Sequence, residues 1–100
     1  MKTTWDPNKA QANFRKHGVR FSDAEAVLLD PHAMSRDDPT AEYERRFVAV
    51  GLDVVGRIVV VVYTYRAEDV RLISARLATP DVVVNIGHNR LPYPEKIQAA

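Results

Sequence analysis

The spacing of apolar side chains along the chain is helical at first and strand-like later. Between Trp5 and Gly18 apolar positions are sparse, and Ala10, Phe14 and His17 fall at i, i+4 and i+7 on one helix face, with Lys9, Arg15 and Lys16 around the rest. Asp6 offers a carboxylate to the first free amides, Pro7 suits the first helical position, and Gly18 accepts the left-handed backbone that ends a helix. A helix is therefore predicted from Pro7 to His17. A second is predicted to open at Ser22, where Ser22 and Glu25 have capping-box spacing and Phe21 can staple onto Ala26. It ends near Leu29, because Pro31 disfavours helical backbone at Asp30.

The stretch from Met34 to Glu44 is polar and turn-rich, and reads as a loop, with room for a short edge strand before it. Three strands follow: Arg46 to Asp53, Arg57 to Arg66, and Val70 to Leu77. Their links, Val54-Val55-Gly56 and Ala67-Glu68-Asp69, are too short for a crossover and force antiparallel pairing. Ile58 to Val62 is apolar at consecutive positions, so both faces of that strand are covered and it belongs in the sheet centre. Asp81 to Ile86 reads as a fourth strand, and the remainder as a loop or tail, poorly ordered from Pro94. The expected architecture is α+β, two N-terminal helices packed on an antiparallel meander sheet of three to four strands.

Composition narrows the function classes. Hydrophobic residues at 46% and charged residues at 27% suit one folded domain. Fourteen Lys and Arg against thirteen Asp and Glu leave a net charge of +1, so only a local basic patch, not bulk charge, can argue for nucleic acid. The chain has no cysteine, which excludes disulfides, thiol nucleophiles and thiolate metal sites. No apolar run reaches the roughly 18 residues of a membrane span, and the segment from Met1 to Asp6 lacks the apolar stretch of a signal peptide; a cytoplasmic protein without membrane contact is expected. Phosphate-binding glycine motifs and a serine elbow are absent. His17, His32 and His88 are far apart without acidic companions, so neither metal nor cofactor is expected.

What remains is cationic. Arg66 closes the central strand, and Arg71 and Arg76 flank Ser74 in the next. Guanidinium groups clamp phosphate oxygens bidentately, which suits RNA binding and stabilisation of a pentacovalent phosphate. The plainer account is a solvated face, with Glu68 or Asp69 as ion-pair partners. Register decides. A three-residue loop at Ala67-Glu68-Asp69 puts Arg66, Ser74 and Arg76 on one face and Arg71 on the other, whereas a four-residue loop pairs Arg66 with Arg71 and sends Ser74 and Arg76 away. Lys16 and His17 form a second candidate, because a helix C-terminus raises the pKa of a nearby histidine; His17 can equally be a packed residue of the Phe14 face. Tyr63 and Tyr65 offer base stacking or core packing, and Glu42 and Glu44 offer a general base or a solvated charge run.

Taken together these residues resemble the BrnT family of type II toxins, small RelE-like ribonucleases neutralised by BrnA-type antitoxins. The resemblance rests on Trp5-Asp6-Pro7-Asn8-Lys9-Ala10 with Asn13, on Arg15-Lys16-His17-Gly18-Val19 with Phe21 and Ala24, and on Asp30-Pro31. Glu44-Arg45-Arg46-Phe47, Gly51, Val60-Val61-Val62-Tyr63-Thr64, Arg66, Arg71, Ile73-Ser74-Ala75-Arg76 and Ala78-Thr79 complete it. It covers Trp5 to Thr79 and implies a toxin domain over residues 1–80. Family members continue with a basic, glutamate-containing helix; here Pro80 and the β-prone residues after it imply a divergent strand or tail over 81–100.

The resemblance implies metal-independent RNA cleavage, inhibition of translation and growth, and an antitoxin partner through which DNA is contacted only indirectly. Arg66, Arg71 and Arg76 would be phosphate ligands, Lys16 and His17 proton-transfer or binding groups, and Ser74 an orienting donor. A second reading makes the chain a non-catalytic module that holds its antitoxin with the same basic surface.

Overall fold

The computed structural model describes residues 2–39 and 41–81. In chain order it contains β1 (Thr3–Thr4), α1 (Pro7–His17), α2 (Phe21–Leu29), β2 (Met34–Asp38), β3 (Arg46–Leu52), β4 (Ile58–Arg66) and β5 (Asp69–Leu77). The expected meander is present as β3, β4 and β5, but the sheet is larger and mixed: five strands in the order β1-β5-β4-β3-β2, with β1 parallel to β5. The expected sheet of three to four antiparallel strands is thereby corrected. Two residues are too few for β1 to show a period, and β2 sits at an edge, where polar Ser35, Arg36 and Asp37 are tolerated. β4 is the central strand, buried from Val59 to Thr64.

Both helices lie on one sheet face. Val19 with Phe21, Ala24 and Val27 of α2 packs onto Ala49, Val59, Val61, Leu72 and Ala75. Val48, Val50, Val60 and Val62 make a second buried cluster on the opposite face. α1 forms where expected: Asp6 Oδ1 accepts from the Asn8 amide at 2.8 Å, Pro7 starts the helix, and Gly18, at φ 71°, donates its N–H to the Phe14 carbonyl. Its buried face differs from the apolar spacing, however. Phe14 is 40% exposed beneath the Arg20 guanidinium, and Asn13 is the residue turned inward.

α2 starts one residue early, at Phe21, and the capping box does not form: Arg20 is the N-cap, and no side chain among the described residues caps the helix. Burying Phe21 against Trp5, edge to face at 6.0 Å, is worth roughly 2 kcal/mol, more than the about 1 kcal/mol of a serine cap. Pro80 and Asp81 are helical rather than the start of a strand, since proline fits a first helical turn. The rest of the expected strand or tail over 82–100, with His88, lies outside the described residues. No described helix is long and apolar enough to cross a membrane.

Candidate functional site

The connection between β4 and β5 fixes which side chains converge. It is a two-residue turn, Ala67-Glu68, with Arg66 opposite Asp69, Tyr65 opposite Val70 and Thr64 opposite Arg71. Ala67 takes the positive φ, 55°, that so tight a turn demands. The register then slips between Val62 and Tyr63: Tyr63 pairs with Leu72 but Val62 pairs with Ser74, leaving Ile73 as an extra residue. Neither register expected from the loop length is correct. The bulge reverses the side-chain parity of β5, so Arg66, Arg71, Ser74 and Arg76 all fall on the face away from the helices, opposite Asp69, Thr64, Val62 and Val60.

α1 reaches that face by crossing the β5 edge. Among the described residues β1 pairs with β5 only at Val70 and Arg71, so no described strand faces Ala75 further along that edge. Asn13 fills the gap like a residue of the missing strand: its Nδ2 donates to the Ala75 carbonyl at 2.7 Å and its Oδ1 accepts from the Ala75 N–H at 3.1 Å. The same Nδ2 donates to the Val19 carbonyl at 3.0 Å, locking the helix C-terminus. Lys16 and His17, one turn on, come to rest beside Ser74 and Arg76.

The result is a cleft of about 270 Å³ lined by Lys16, His17, Arg46, Ser74 and Arg76 over a floor of Val60, Val62 and Ile73. Arg46 joins because it alternates with Val48 and Val50 on β3, the same face as Val60 and Val62. Only this alternation, combined with the register, could have marked it in the sequence.

Arg76 is the unusual member. It is 8% exposed, burial pushes its guanidinium below the ordinary arginine value, and its Nη2 has no hydrogen-bond partner among the described residues. An unpaired buried cationic nitrogen is costly unless something occupies it, and an oxyanion matches it. His17 also departs from expectation. Its pKa is lowered, by partial burial first and then by the charges of Lys16 and Arg76, which together outweigh the half-charge of the α1 terminus that was expected to raise it. At neutral pH the imidazole is free to accept a proton.

The other expected residues do not join this cleft. Arg66 pairs with Glu44 at 3.4 Å rather than with Glu68 or Asp69, and lines a second opening with Asp38, Glu42, Tyr43 and Arg46. Arg71, partly buried opposite Thr64, shares the face but not the lining. Tyr63 is a core residue, stacked on Phe47 at 5.5 Å, its hydroxyl near Ser35 and its pKa raised by burial. Sequence reading also passed over Asp53, which anchors the β3–β4 turn by accepting from the Val55 and Arg57 amides and from the Arg57 side chain.

Comparison with known proteins identifies the family. The family model "Ribonuclease toxin, BrnT, of type II toxin-antitoxin system" matches residues 5–81. Among solved structures, the crystal structure of the Brucella abortus ribonuclease toxin BrnT is similar, with a TM-score of 0.58 and 30% sequence identity over 79% of this chain and 97% of that one. No curated protein matches. The match takes in every element from α1 to β5 and both sides of the cleft, so the chain belongs to the BrnT family of ribonuclease toxins of type II toxin–antitoxin systems.

Proposed function

We propose that this chain is an endoribonuclease that cuts RNA without a metal ion, with the cleft between α1 and β5 as its active site. The observation that carries this reading is the convergence on one concavity of a proton acceptor, His17, three cationic side chains, Lys16, Arg46 and Arg76, and the Ser74 hydroxyl, with one guanidinium nitrogen of Arg76 buried and unpartnered among the described residues.

The chemistry follows from the parts. A ribose 2′-hydroxyl loses its proton to His17 and its oxygen bonds to the adjacent phosphorus. The phosphorane gains negative charge, which Arg76, Arg46 and the Lys16 ammonium oppose in a partly desolvated site. The bond to the 5′ oxygen breaks, and that oxygen takes a proton from Lys16 or water, leaving a 2′,3′-cyclic phosphate. Ser74 orients a non-bridging oxygen. Arg66 and Arg71, on the same face but outside the cleft, contact neighbouring phosphates.

In the cell this activity would stop translation and growth in the cytoplasm. A BrnA-type antitoxin would silence it by laying acidic side chains over the same cations, and DNA would be contacted only through that partner. The test is expression with and without the antitoxin, alongside incubation of purified protein with RNA in the presence of a chelator. Arg76→Ala should abolish growth inhibition and cleavage while the variant still unfolds cooperatively; full toxicity in that variant refutes the role of Arg76. A protein that binds its antitoxin but leaves RNA intact would instead favour the binding-module reading.

A further inference from the structure

The second opening on the same face, about 420 Å³ in volume, shares one wall with the first: Arg46 lines both. An RNA strand with its phosphate beside Arg76 would have, on the other side of Arg46, a space bounded by Tyr43, Glu44 and Arg66. Two features there bear on a nucleobase. Tyr43 is 97% exposed, and an exposed ring on a nucleic-acid track is a stacking platform. Glu44 is held from both sides, with one carboxylate oxygen 3.6 Å from Arg46 and the other 3.4 Å from Arg66. Both distances are long for charged hydrogen bonds, so the carboxylate is oriented while keeping lone pairs for a further partner, and its side chain remains one-third accessible.

We infer that this opening is a nucleobase subsite for the nucleotide next to the cleaved bond, that Tyr43 stacks its base, and that the Glu44 carboxylate reads guanine. A carboxylate only accepts, and its two oxygens match two parallel donors. Guanine supplies them side by side, N1–H and the N2 amine. Adenine sets the N1 lone pair against the carboxylate, and cytosine and uracil offer a single donor with an opposing acceptor. Arg66 and Arg46, flanking Glu44, keep the opening attractive to the backbone phosphates on either side and offset the negative charge of the reader.

This inference rests on the ribonuclease reading, and the experiment separates the two. Short RNAs of one sequence, carrying guanine, inosine or adenine at a single position, are cut by the full-length protein, and kcat/KM is compared at the bond beside that position. Inosine lacks only the N2 amine, so one hydrogen bond to a charged group is lost and kcat/KM should fall about ten- to a hundredfold, with adenine at least as poor. Glu44→Gln should bring guanine and adenine within about twofold of each other, and Tyr43→Ala should raise KM for the guanine RNA more than it lowers kcat. In parallel, uncleavable 2′-O-methyl versions of the same RNAs are titrated against wild type and Glu44→Gln. Cleavage without discrimination among the three bases, or a preference that survives Glu44→Gln, overturns the subsite and leaves the ribonuclease reading standing. Guanine-selective, Glu44-dependent binding without any cleavage supports the subsite and overturns the ribonuclease reading. Absence of both cleavage and selective binding overturns both.

Discussion

Replacing Asn13 with alanine tests how the fold delivers the cleft. The side chain makes three buried hydrogen bonds, two donated to the carbonyls of Ala75 and Val19 and one accepted from the Ala75 N–H, across 62 residues of sequence in the case of Ala75. Each is worth about 1 kcal/mol net, and leaving the Ala75 N–H unpaired inside the protein carries the larger desolvation penalty, so a loss of about 3 kcal/mol is expected. Against a total stability of roughly 5–15 kcal/mol this is severe but survivable, with a fall in Tm of about 12–24 °C. Trp5, the single tryptophan, packs on Phe21 beside the helices and supplies a fluorescence signal for urea unfolding. Hydrogen exchange at the Ala75 amide should accelerate more than at Val61, its neighbour on β4. Asn13→Asp should be at least as damaging near neutral pH, because it keeps the acceptor for the Ala75 N–H but turns an anion toward two carbonyl oxygens. Since Lys16 and His17 ride on the same helix, RNA cleavage by Asn13→Ala should drop well beyond the fraction unfolded. A loss below about 1 kcal/mol, or unchanged exchange at Ala75, would refute the idea that this amide completes the sheet edge.

Further outcomes follow from the same geometry. With His17 as proton acceptor and its pKa depressed below the ordinary 6.5, cleavage should rise with pH through a value under 6.5 and stay level above it, and that acidic limb should vanish in His17→Ala; a limb centred above 6.5 contradicts the depressed pKa. The same shift makes the unfolded chain the better proton binder, so stability attributable to His17 is complete above 6.5 and declines as pH falls toward the folded value, measurable as a difference from His17→Ala in urea titrations. Ala67→Gly removes a left-handed alanine from the β4–β5 turn and should stabilise by about 0.5–1 kcal/mol, read as a higher urea midpoint at unchanged slope; destabilisation would mean the turn does not need a positive φ. Asp53→Ala strips the β3–β4 turn of its buried acceptor and should cost about 2–3 kcal/mol. Burial raises the Asp53 pKa but the Arg57 and Val55 bonds lower it more, so its contribution is present above the ordinary 3.8 and fades as pH drops through the lower folded value; wild type and variant should therefore converge in strong acid.

The limits of α1 were legible because Asp6, Pro7 and Gly18 act on backbone groups within a few residues of themselves, and the central place of β4 was legible because Ile58 to Val62 has no polar face to show to water. Candidate site residues could be named from residue type, and four of the six, Lys16, His17, Ser74 and Arg76, do meet in one cleft. Tertiary structure decided the rest. The bulge at Ile73 sets which of the β5 side chains face the cleft, and it arises from the fit of β5 onto β4, not from any local preference of Leu72-Ile73-Ser74. Burial of Phe21 overrode a well-formed capping signal at Ser22, and an asparagine without apolar character became the inward residue of α1 because an unpaired strand edge lay opposite it. Arg46 entered the site through neighbours on α1, β4 and β5, and His17 changed the sign of its pKa shift through burial first, then through the charge of Lys16 beside it and of Arg76 across the cleft. Caps and periodicities are energies of adjacent residues and can be read in order; register, desolvation and charge proximity are energies of pairs that exist only once the chain has closed on itself.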